Sequence, residues 1–162
     1  MRILGIDPGT VRLGYGLIEK TRELKLLTYG VLEIKNKQSE PAKIFELGKK
    51  LSELIDELKP DLAGVEKLYF AKNQKTAMLV SQARGVILHL LTQRSIPIRE
   101  LRPGDVKIAV TNYGLADKGA VARMVKQILK IPDLRGYDDA SDALAIAIAA
   151  AYGNNIAHGK NF

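Results

Sequence analysis

The chain has 162 residues and a mass of 17.8 kDa, a length that fits one domain and is short for two. Apolar residues make up 46% and charged residues 27% of the sequence, which excludes general disorder. The absence of cysteine excludes a disulfide scaffold, a thiol nucleophile and a cysteine-ligated metal. Because there are only two histidines, a bound divalent ion would be held mainly by oxygen atoms.

The excess of positive charge lies in the second part of the chain, which has a formal net charge of +7 overall. Residues 1–66 hold eleven basic and eleven acidic side chains, whereas residues 67–130 hold twelve basic side chains against Glu100, Asp105 and Asp117. Such an excess favours a polyanionic partner, either nucleic acid or an anionic membrane surface. Its confinement to one stretch predicts a face that receives a phosphate backbone.

Strands and helices are predicted in an order typical of a layered α/β fold. Alternating apolar residues and turn signals predict a meander of three strands over residues 2–7, 13–19 and 26–34. Helices are predicted over 41–58, 76–93, 103–110, 118–130 and 139–152. Two further strands are predicted over 62–66 and 96–101, and the loop 67–75 carries Tyr69 and Phe70. This order indicates a mixed five-stranded sheet with helices on both faces, the layout of the ribonuclease H-like fold.

The domain organisation predicted from these elements is simple. No linker divides the chain, so we expect one ribonuclease H-like domain over 1–152 and a short loose tail over 153–162. The helix 76–93 has two apolar stripes, which predicts that one faces the core and the other a second subunit. The first stripe contains Leu79, Ala83, Val86, Ile87 and Leu90, and the second contains Val80, Leu88 and Leu91. No targeting or membrane-spanning segment is recognised, so we expect a cytoplasmic protein.

Four carboxylates stand at special points of the predicted elements. Asp7 ends the first strand and Glu66 ends the fourth, and functional groups of α/β sheets gather at such strand ends. Asp139 and Asp142 share one face of the last helix, above a stripe of small apolar residues that should pack on the sheet. Each acid alone has an ordinary structural explanation as a turn residue, a surface acid or a charge at a helix N-terminus. Together they predict a cluster at one edge of the sheet.

Such a cluster is tolerable only if some of its members are protonated or if cations lie between them. Oxygen donors without histidine or cysteine favour Mg²⁺, with Mn²⁺ as the alternative. Paired divalent ions activate water and stabilise the leaving oxygen in phosphodiester cleavage. Beside a basic surface, the expected substrate is nucleic acid.

The motifs that carry a family resemblance occur in four places. They are LGIDPGT at 4–10 with GYG at 14–16; VE at 65–66 with Tyr69 and AKN at 71–73; QARGV at 82–86; and DASDALAIA at 139–147. In this order and at this length, the chain resembles the RuvC family, the bacterial Holliday-junction resolvases, over nearly its whole length. The resemblance implies a metal-dependent homodimer that resolves four-way DNA junctions by paired symmetric nicks in recombination and repair.

The resemblance also implies roles for the acidic residues. The catalytic and metal-binding positions of the family fall on Asp7, Glu66, Asp139 and Asp142, with two Mg²⁺ ions per subunit expected. Asp138 is an acidic neighbour that could take the place of Asp139, which we prefer because of its spacing before the apolar run. The expected product of cleavage carries a 5′-phosphate.

Further positions are implied to contact DNA. Tyr69 lies where the family usually has a phenylalanine that stacks on bases, and its neighbour Phe70 is the second choice. Lys107 and Lys118 match lysines used near the scissile phosphate and the DNA backbone, whereas Arg84 is interpreted as structural. The branch-migration complex of RuvA with RuvB is an implied partner.

Other functions are compatible with parts of the sequence. Actin-like kinases and ATPases share the general fold and a D-x-G-T element, here Asp7 to Thr10, but they need two domains. A junction-binding protein without activity would not need all four carboxylates. A ribonuclease H-like enzyme acting on RNA would differ in substrate, which cleavage of matched RNA and DNA would detect.

Overall fold

The protein was analysed as a computed structural model, which describes residues 1–9, 11–35, 37–67, 74–132, 134 and 138–153, the side chains of 74–76 excepted. The strands are β1 (Arg2–Asp7), β2 (Arg12–Lys20), β3 (Leu24–Glu33), β4 (Leu62–Glu66) and β5 (Ile98–Leu101). The helices are α1 (Glu40–Leu58), α2 (Gln74–Gln93), α3 (Pro103–Thr111), α4 (Lys118–Leu129) and α5 (Asp138–Tyr152). The predicted order is therefore confirmed, with boundaries that shift by at most two residues.

Strand β5 begins two residues later than predicted, and the cause is local. After α2, Ser95 adopts a left-handed backbone with φ of 54°, and the Ile96 amide donates to the Leu91 carbonyl. Residue 96 therefore belongs to the turn that ends the helix, and the strand pairs with β4 only from Ile98 onward.

The sheet has the strand order β3-β2-β1-β4-β5. The first three strands pair antiparallel, whereas β4 and β5 run parallel to β1. In the register between β1 and β4, Ile6 lies opposite Val65. Asp7 and Glu66 are the next residues of these two strands, so they emerge side by side at the same sheet edge.

Each face of the sheet carries its own hydrophobic core. Along β1, Leu4 and Ile6 point to the core formed with α1 and α2, while Ile3 points to the core formed with α3, α4 and α5. All three side chains are fully buried, as expected for a strand covered on both faces. The prediction of a mixed five-stranded sheet with helices on both faces is confirmed.

Helix α5 lies close to the sheet because several strand residues beneath it are glycines, which have no side chain to hold the helix away. A Cβ at Gly5 would collide with the backbone carbonyl of Ala143, and one at Gly14 would collide with that of Asp139. Gly64 plays the same part on β4, where a Cβ would come within 2.8 Å of Ala150. This close approach brings the first turn of α5 down to the edge where Asp7 and Glu66 emerge.

The structure corrects the division of α2 into two stripes. Ala83, Ile87 and Leu91 pack together into the core with α1, and Leu91 is fully buried within this chain. Leu91 therefore belongs to the core face and not to the second stripe, because residues spaced by four lie above one another on a helix. Val80 and Leu88 remain partly exposed.

Among the described residues, no helix is both long and apolar enough to cross a membrane. The predicted tail, apart from Gly153, lies outside the described residues, and so do Tyr69 and Phe70.

Candidate active site

Two strands supply the first pair of carboxylates. Side chains alternate between the two faces of a strand, so Asp7 lies on the face of Gly5 and Glu66 on the face of Gly64. Both glycines contact α5. Asp7 and Glu66 therefore point to the α5 side of the sheet, at the ends of adjacent parallel strands.

The second pair of carboxylates comes from the first turn of α5. Asp139 and Asp142 are partly buried, whereas Asp138 is exposed. Asp139 is close enough to raise the pKa of Asp7, and Asp138 acts instead on Lys118. The structure thus places Glu66, Asp139 and Asp142 within electrostatic range of Asp7, and the catalytic roles of these four carboxylates remain predictions.

Asp7 is the electrostatic centre of this cluster. Burial, followed by the charges of Asp142, Glu66 and Asp139, raises the pKa of Asp7 to about 7, against an ordinary value of 3.8. The positive charge of Lys118 opposes this rise but is too weak to cancel it. A carboxylate held in this way gains strongly from any cation that enters the cluster.

Glu66 is perturbed in the same direction. Burial raises the pKa of Glu66, and the neighbouring charge of Asp142 adds to the rise. Lys118 and Lys107 lower it, so both lysines expected from the sequence act electrostatically on the cluster. Lys107 comes from α3 and Lys118 from the first position of α4, two helices that pack on the same side of the sheet as α5.

Lys118 makes the most direct of these contacts. Its Nζ donates to Oδ2 of Asp142 at 3.0 Å, and this hydrogen bond raises the pKa of Lys118. Its side chain is 76% exposed, so the ammonium lies at the mouth of the cluster and not beneath it. In this position the ammonium can act on a charged group of a substrate.

Two arginines near the cluster were not assigned to it from the sequence. Arg12, at the start of β2, lies with its Nε 3.8 Å from Oδ2 of Asp139. The sequence could have pointed to Arg12, because this residue follows the turn directly after Asp7. Arg84 of α2 donates from Nε to the backbone carbonyl of Glu66 at 3.4 Å and forms an ion pair with Glu100. Arg84 therefore ties the end of β4 to α2 and β5, in agreement with its interpretation as structural.

The donor chemistry of the cluster fits a hard divalent cation. Its four carboxylates supply only oxygen ligands, and the pKa values of Asp7 and Glu66 are raised first by burial and then by neighbouring carboxylates. Within the described ranges, no three acidic, histidine or cysteine side chains are gathered into a ready-made metal site. Asp142 instead accepts a hydrogen bond from the ammonium of Lys118, whose positive charge compensates part of the negative charge of the cluster.

Fold and site together define a class of protein. A ribonuclease H-like sheet with clustered carboxylates at its edge and lysines around them is the framework of a nuclease that depends on bound cations. The model of the family described as "Crossover junction endodeoxyribonuclease RuvC" matches residues 3–150. The chain belongs to this family.

Relatives match the chain over most of their length. The crossover junction endodeoxyribonuclease RuvC of Petrotoga mobilis is 47% identical over 148 residues, 91% of each chain. That of Chloroflexus aurantiacus is 45% identical over 153 residues, 94% of this chain and 93% of the relative. The predicted activity of a crossover junction endodeoxyribonuclease is therefore confirmed, against the kinase and non-cleaving alternatives.

Solved structures agree with this assignment. The structure of Thermus thermophilus RuvC in complex with Holliday junction substrate matches with a TM-score of 0.87 at 28% identity, over 94% of this chain and 93% of that one. The yeast mitochondrial Holliday junction resolvase matches with a TM-score of 0.65 at 15% identity, over 91% and 77% respectively, which supports the fold alone. Family membership supports metal dependence without specifying the ion or the number of ions.

Proposed function

We propose that the chain binds a four-way DNA junction and cuts it with the carboxylate cluster formed by Asp7, Glu66, Asp139 and Asp142. The observation that carries this proposal is the meeting of β1, β4 and α5 at one edge, which raises the pKa of Asp7 to about 7. A protein of this family needs such a concentration of negative charge to hold cations beside a phosphodiester.

The cluster would hold the metal ions of the reaction. We propose Mg²⁺, two ions per subunit, with Mn²⁺ able to replace it; Asp7, Glu66, Asp139 and Asp142 would hold the ions. When bound, such ions activate water and stabilise the charge of the leaving oxygen. In the reaction, water adds to phosphorus, the P–O3′ bond breaks, and the products are a 5′-phosphate and a 3′-hydroxyl group.

The lysines beside the cluster act on the substrate. Lys118 lies exposed at the mouth of the cluster, where its ammonium can pair with a non-bridging phosphate oxygen as charge develops there. Lys107 also acts on Glu66, more weakly than Lys118, and adds to the positive potential at the same edge. Tyr69, or Phe70 beside it, would stack on bases at the junction centre.

Paired symmetric nicks require two sites related by a twofold axis, so we propose a homodimer. The partly exposed Val80 and Leu88 on α2 support a second subunit on the outer side of this helix. Phe45 on α1, a helix that packs against α2, is also 75% exposed. Sedimentation at micromolar concentration should give twice the mass of one chain, and a monomer would contradict the proposal.

Two further expectations remain from the sequence. The protein is proposed to act in the cytoplasm, and the RuvA–RuvB branch-migration complex is its proposed partner. A pull-down of RuvA and RuvB by the tagged protein, in the presence of junction DNA, would test the second expectation.

The reaction is tested on a labelled mobile four-way junction, with linear duplex of the same sequence as the control substrate. We expect paired symmetric nicks on the junction alone, lost in EDTA and lost in Asp7→Asn. Glu53→Gln, which removes the same charge from the exposed side of α1, should cut like the wild type. Cleavage that persists without metal or in Asp7→Asn would refute the assigned role of the cluster.

A further inference from the structure

Arg12 takes no part in the reaction proposed above, although it lies at the edge of the sheet where the carboxylates gather. It is the first residue of β2, and its Nε lies 3.8 Å from Oδ2 of Asp139. The side chain of Arg12 is 44% exposed, so a substrate that reaches the cluster can also reach this guanidinium.

The backbone fixes the place of Arg12 at this edge. Gly14 pairs with Asp7 in the register of β1 and β2, and a Cβ at Gly14 would collide with the backbone of Asp139. Arg12 lies two residues before Gly14, so its side chain is on the same face of the strand, toward the first turn of α5. The turn between β1 and β2 is tight, because a Cβ at Gly9 would collide with the carbonyl oxygen of Arg12. The guanidinium is therefore carried by a well-defined strand end beside Asp139.

The ion pair between Arg12 and Asp139 contributes little to the stability of the fold. The two side chains are 44% and 36% exposed, and water solvates both charges of such a pair. Arg84 offers a contrast, since its side chain is only 20% exposed and bonds the backbone of Glu66 as well as the carboxylate of Glu100. The position of Arg12 therefore indicates a contact with the substrate more than a structural tie.

The acidic groups beside Arg12 give such a contact a purpose. Glu33 of β3 lies directly opposite Arg12 in the register, and cross-strand neighbours of this kind share one face of the sheet. Glu33 and Asp139 would both repel the phosphates of a DNA strand. Arg12 adjoins both acids, so its positive charge offsets this repulsion where a strand crosses the edge.

Arg12 and Lys118 differ in their relation to Asp7. Lys118 bonds Asp142 and also acts on the pKa of Asp7, so it serves the phosphate that is cut. Arg12 pairs with Asp139 and is not among the described charges that act on Asp7. A guanidinium has five N–H donors in a planar fork, so it can hold a phosphate while it remains beside a carboxylate.

We propose that Arg12 binds the phosphate next to the cleaved one and thereby positions the DNA strand over the carboxylate cluster. Such a contact is made in the bound substrate and in the transition state alike, so it adds to affinity and not to the rate of the chemical step. This inference rests on the proposed function, since the strand that is cut supplies the phosphate.

The test compares the removal of two arginine charges. Arg12→Met changes the edge of the cluster, and Arg22→Met changes an exposed arginine in the β2–β3 turn, at the end of the sheet remote from Asp7. Because both variants lower the net charge equally, a difference between them reports a local contact and not the overall field. Arg12→Gln is a second neutral variant, and Arg12→Lys retains the charge. Circular dichroism confirms that each variant is folded.

Junction binding is measured by fluorescence anisotropy in EDTA, over a series of KCl concentrations. We expect Arg12→Met and Arg12→Gln to weaken binding about tenfold and to reduce the slope of log K against log salt by about 1, the value for one lost phosphate contact. Arg12→Lys should keep the slope of the wild type, and Arg22→Met should change the affinity by no more than about twofold.

Single-turnover cleavage in Mg²⁺ separates positioning of the strand from chemistry. We expect the cleavage rate of Arg12→Met to fall about tenfold at limiting protein and to recover at saturating protein, whereas that of Lys118→Met should stay low at saturation. A saturating rate that falls in Arg12→Met while the affinity for DNA is unchanged would show that Arg12 acts through Asp139, and it would overturn the inference.

The outcomes separate this inference from the proposed function. A wild-type protein that neither binds nor cuts the junction would refute the proposed function, and the inference with it. A wild type that does both, with Arg12→Met and Arg12→Gln matching Arg22→Met in affinity and salt slope, would overturn the inference alone.

Discussion

Replacing Asp7 by asparagine should stabilise the metal-free protein, although it should abolish cleavage. Burial and three neighbouring carboxylates raise the pKa of Asp7 in the folded protein to about 7, from an ordinary value of 3.8. The folded state therefore keeps a proton that the unfolded state releases between these two pH values. The contribution of Asp7 to the stability of the wild type therefore falls as the pH rises from about 4 to about 7, and then levels off.

The size of the effect follows from the difference between the two pKa values. A difference of about three units corresponds to about 4 kcal/mol, since one unit is 1.36 kcal/mol. Because interacting carboxylates titrate together, the loss belongs to the cluster as a whole. We expect the free energy of unfolding of Asp7→Asn to exceed that of the wild type by about 2–4 kcal/mol at pH 8. This difference should shrink below pH 5.

The assay is urea unfolding followed by circular dichroism, in EDTA, at pH values from 4 to 8.5. Glu53→Gln removes one negative charge from an exposed position on α1 and serves as the control. The difference in unfolding free energy between this variant and the wild type should not change with pH. A difference between Asp7→Asn and the wild type that also stays flat across this range would refute the electrostatic description of the cluster. Adding Mg²⁺ at pH 8 should then raise the stability of the wild type and leave that of Asp7→Asn almost unchanged.

Three further predictions concern the surroundings of the cluster. Lys118→Met should slow single-turnover cleavage at saturating protein by about a hundredfold, because a positioned donor to the phosphate is lost, and an unchanged rate in quench-flow would contradict this role. Gly5→Ala should destabilise the fold by about 1–3 kcal/mol in urea, because the added methyl group meets the backbone of α5, whereas Gly85→Ala, where a Cβ meets nothing within 4 Å, should not. Arg84→Ala should cost about 1–3 kcal/mol in the same measurement, because Glu100 loses its ion-pair partner, and Glu100→Gln in the Arg84→Ala background should then add little.

The order of elements could be predicted from the sequence because it depends on local periodicity. The alternation in β1 and the helical spacing in α1 and α4 are properties of neighbouring residues, and they survive in the structure with small boundary shifts. The start of β5 was predicted two residues too early, because the backbone turn at Ser95 cannot be recognised from apolar periodicity. The prediction that put Leu91 in the second stripe of α2 was also wrong, although its spacing by four from Ala83 and Ile87 places these residues on one helix face.

The chemistry of the site was readable in the same way. Asp7 and Glu66 each end an apolar strand, and Asp139 and Asp142 head an apolar helix, so residue type and position alone predicted a carboxylate cluster. Recognition of the motifs around them supplied the family, and with it the activity.

Only the tertiary structure decided how these groups meet. Gly5 and Gly14 let α5 approach the sheet, and in this packing Asp139 lies near enough to act on Asp7 while Asp138 is exposed. The bond from Lys118 to Asp142 joins residues 24 positions apart. Such contacts depend on the packing of whole helices against a sheet, and this packing has no local signature in the chain. The tendency of each segment to form its strand or helix does have such a signature, because it depends on neighbouring residues.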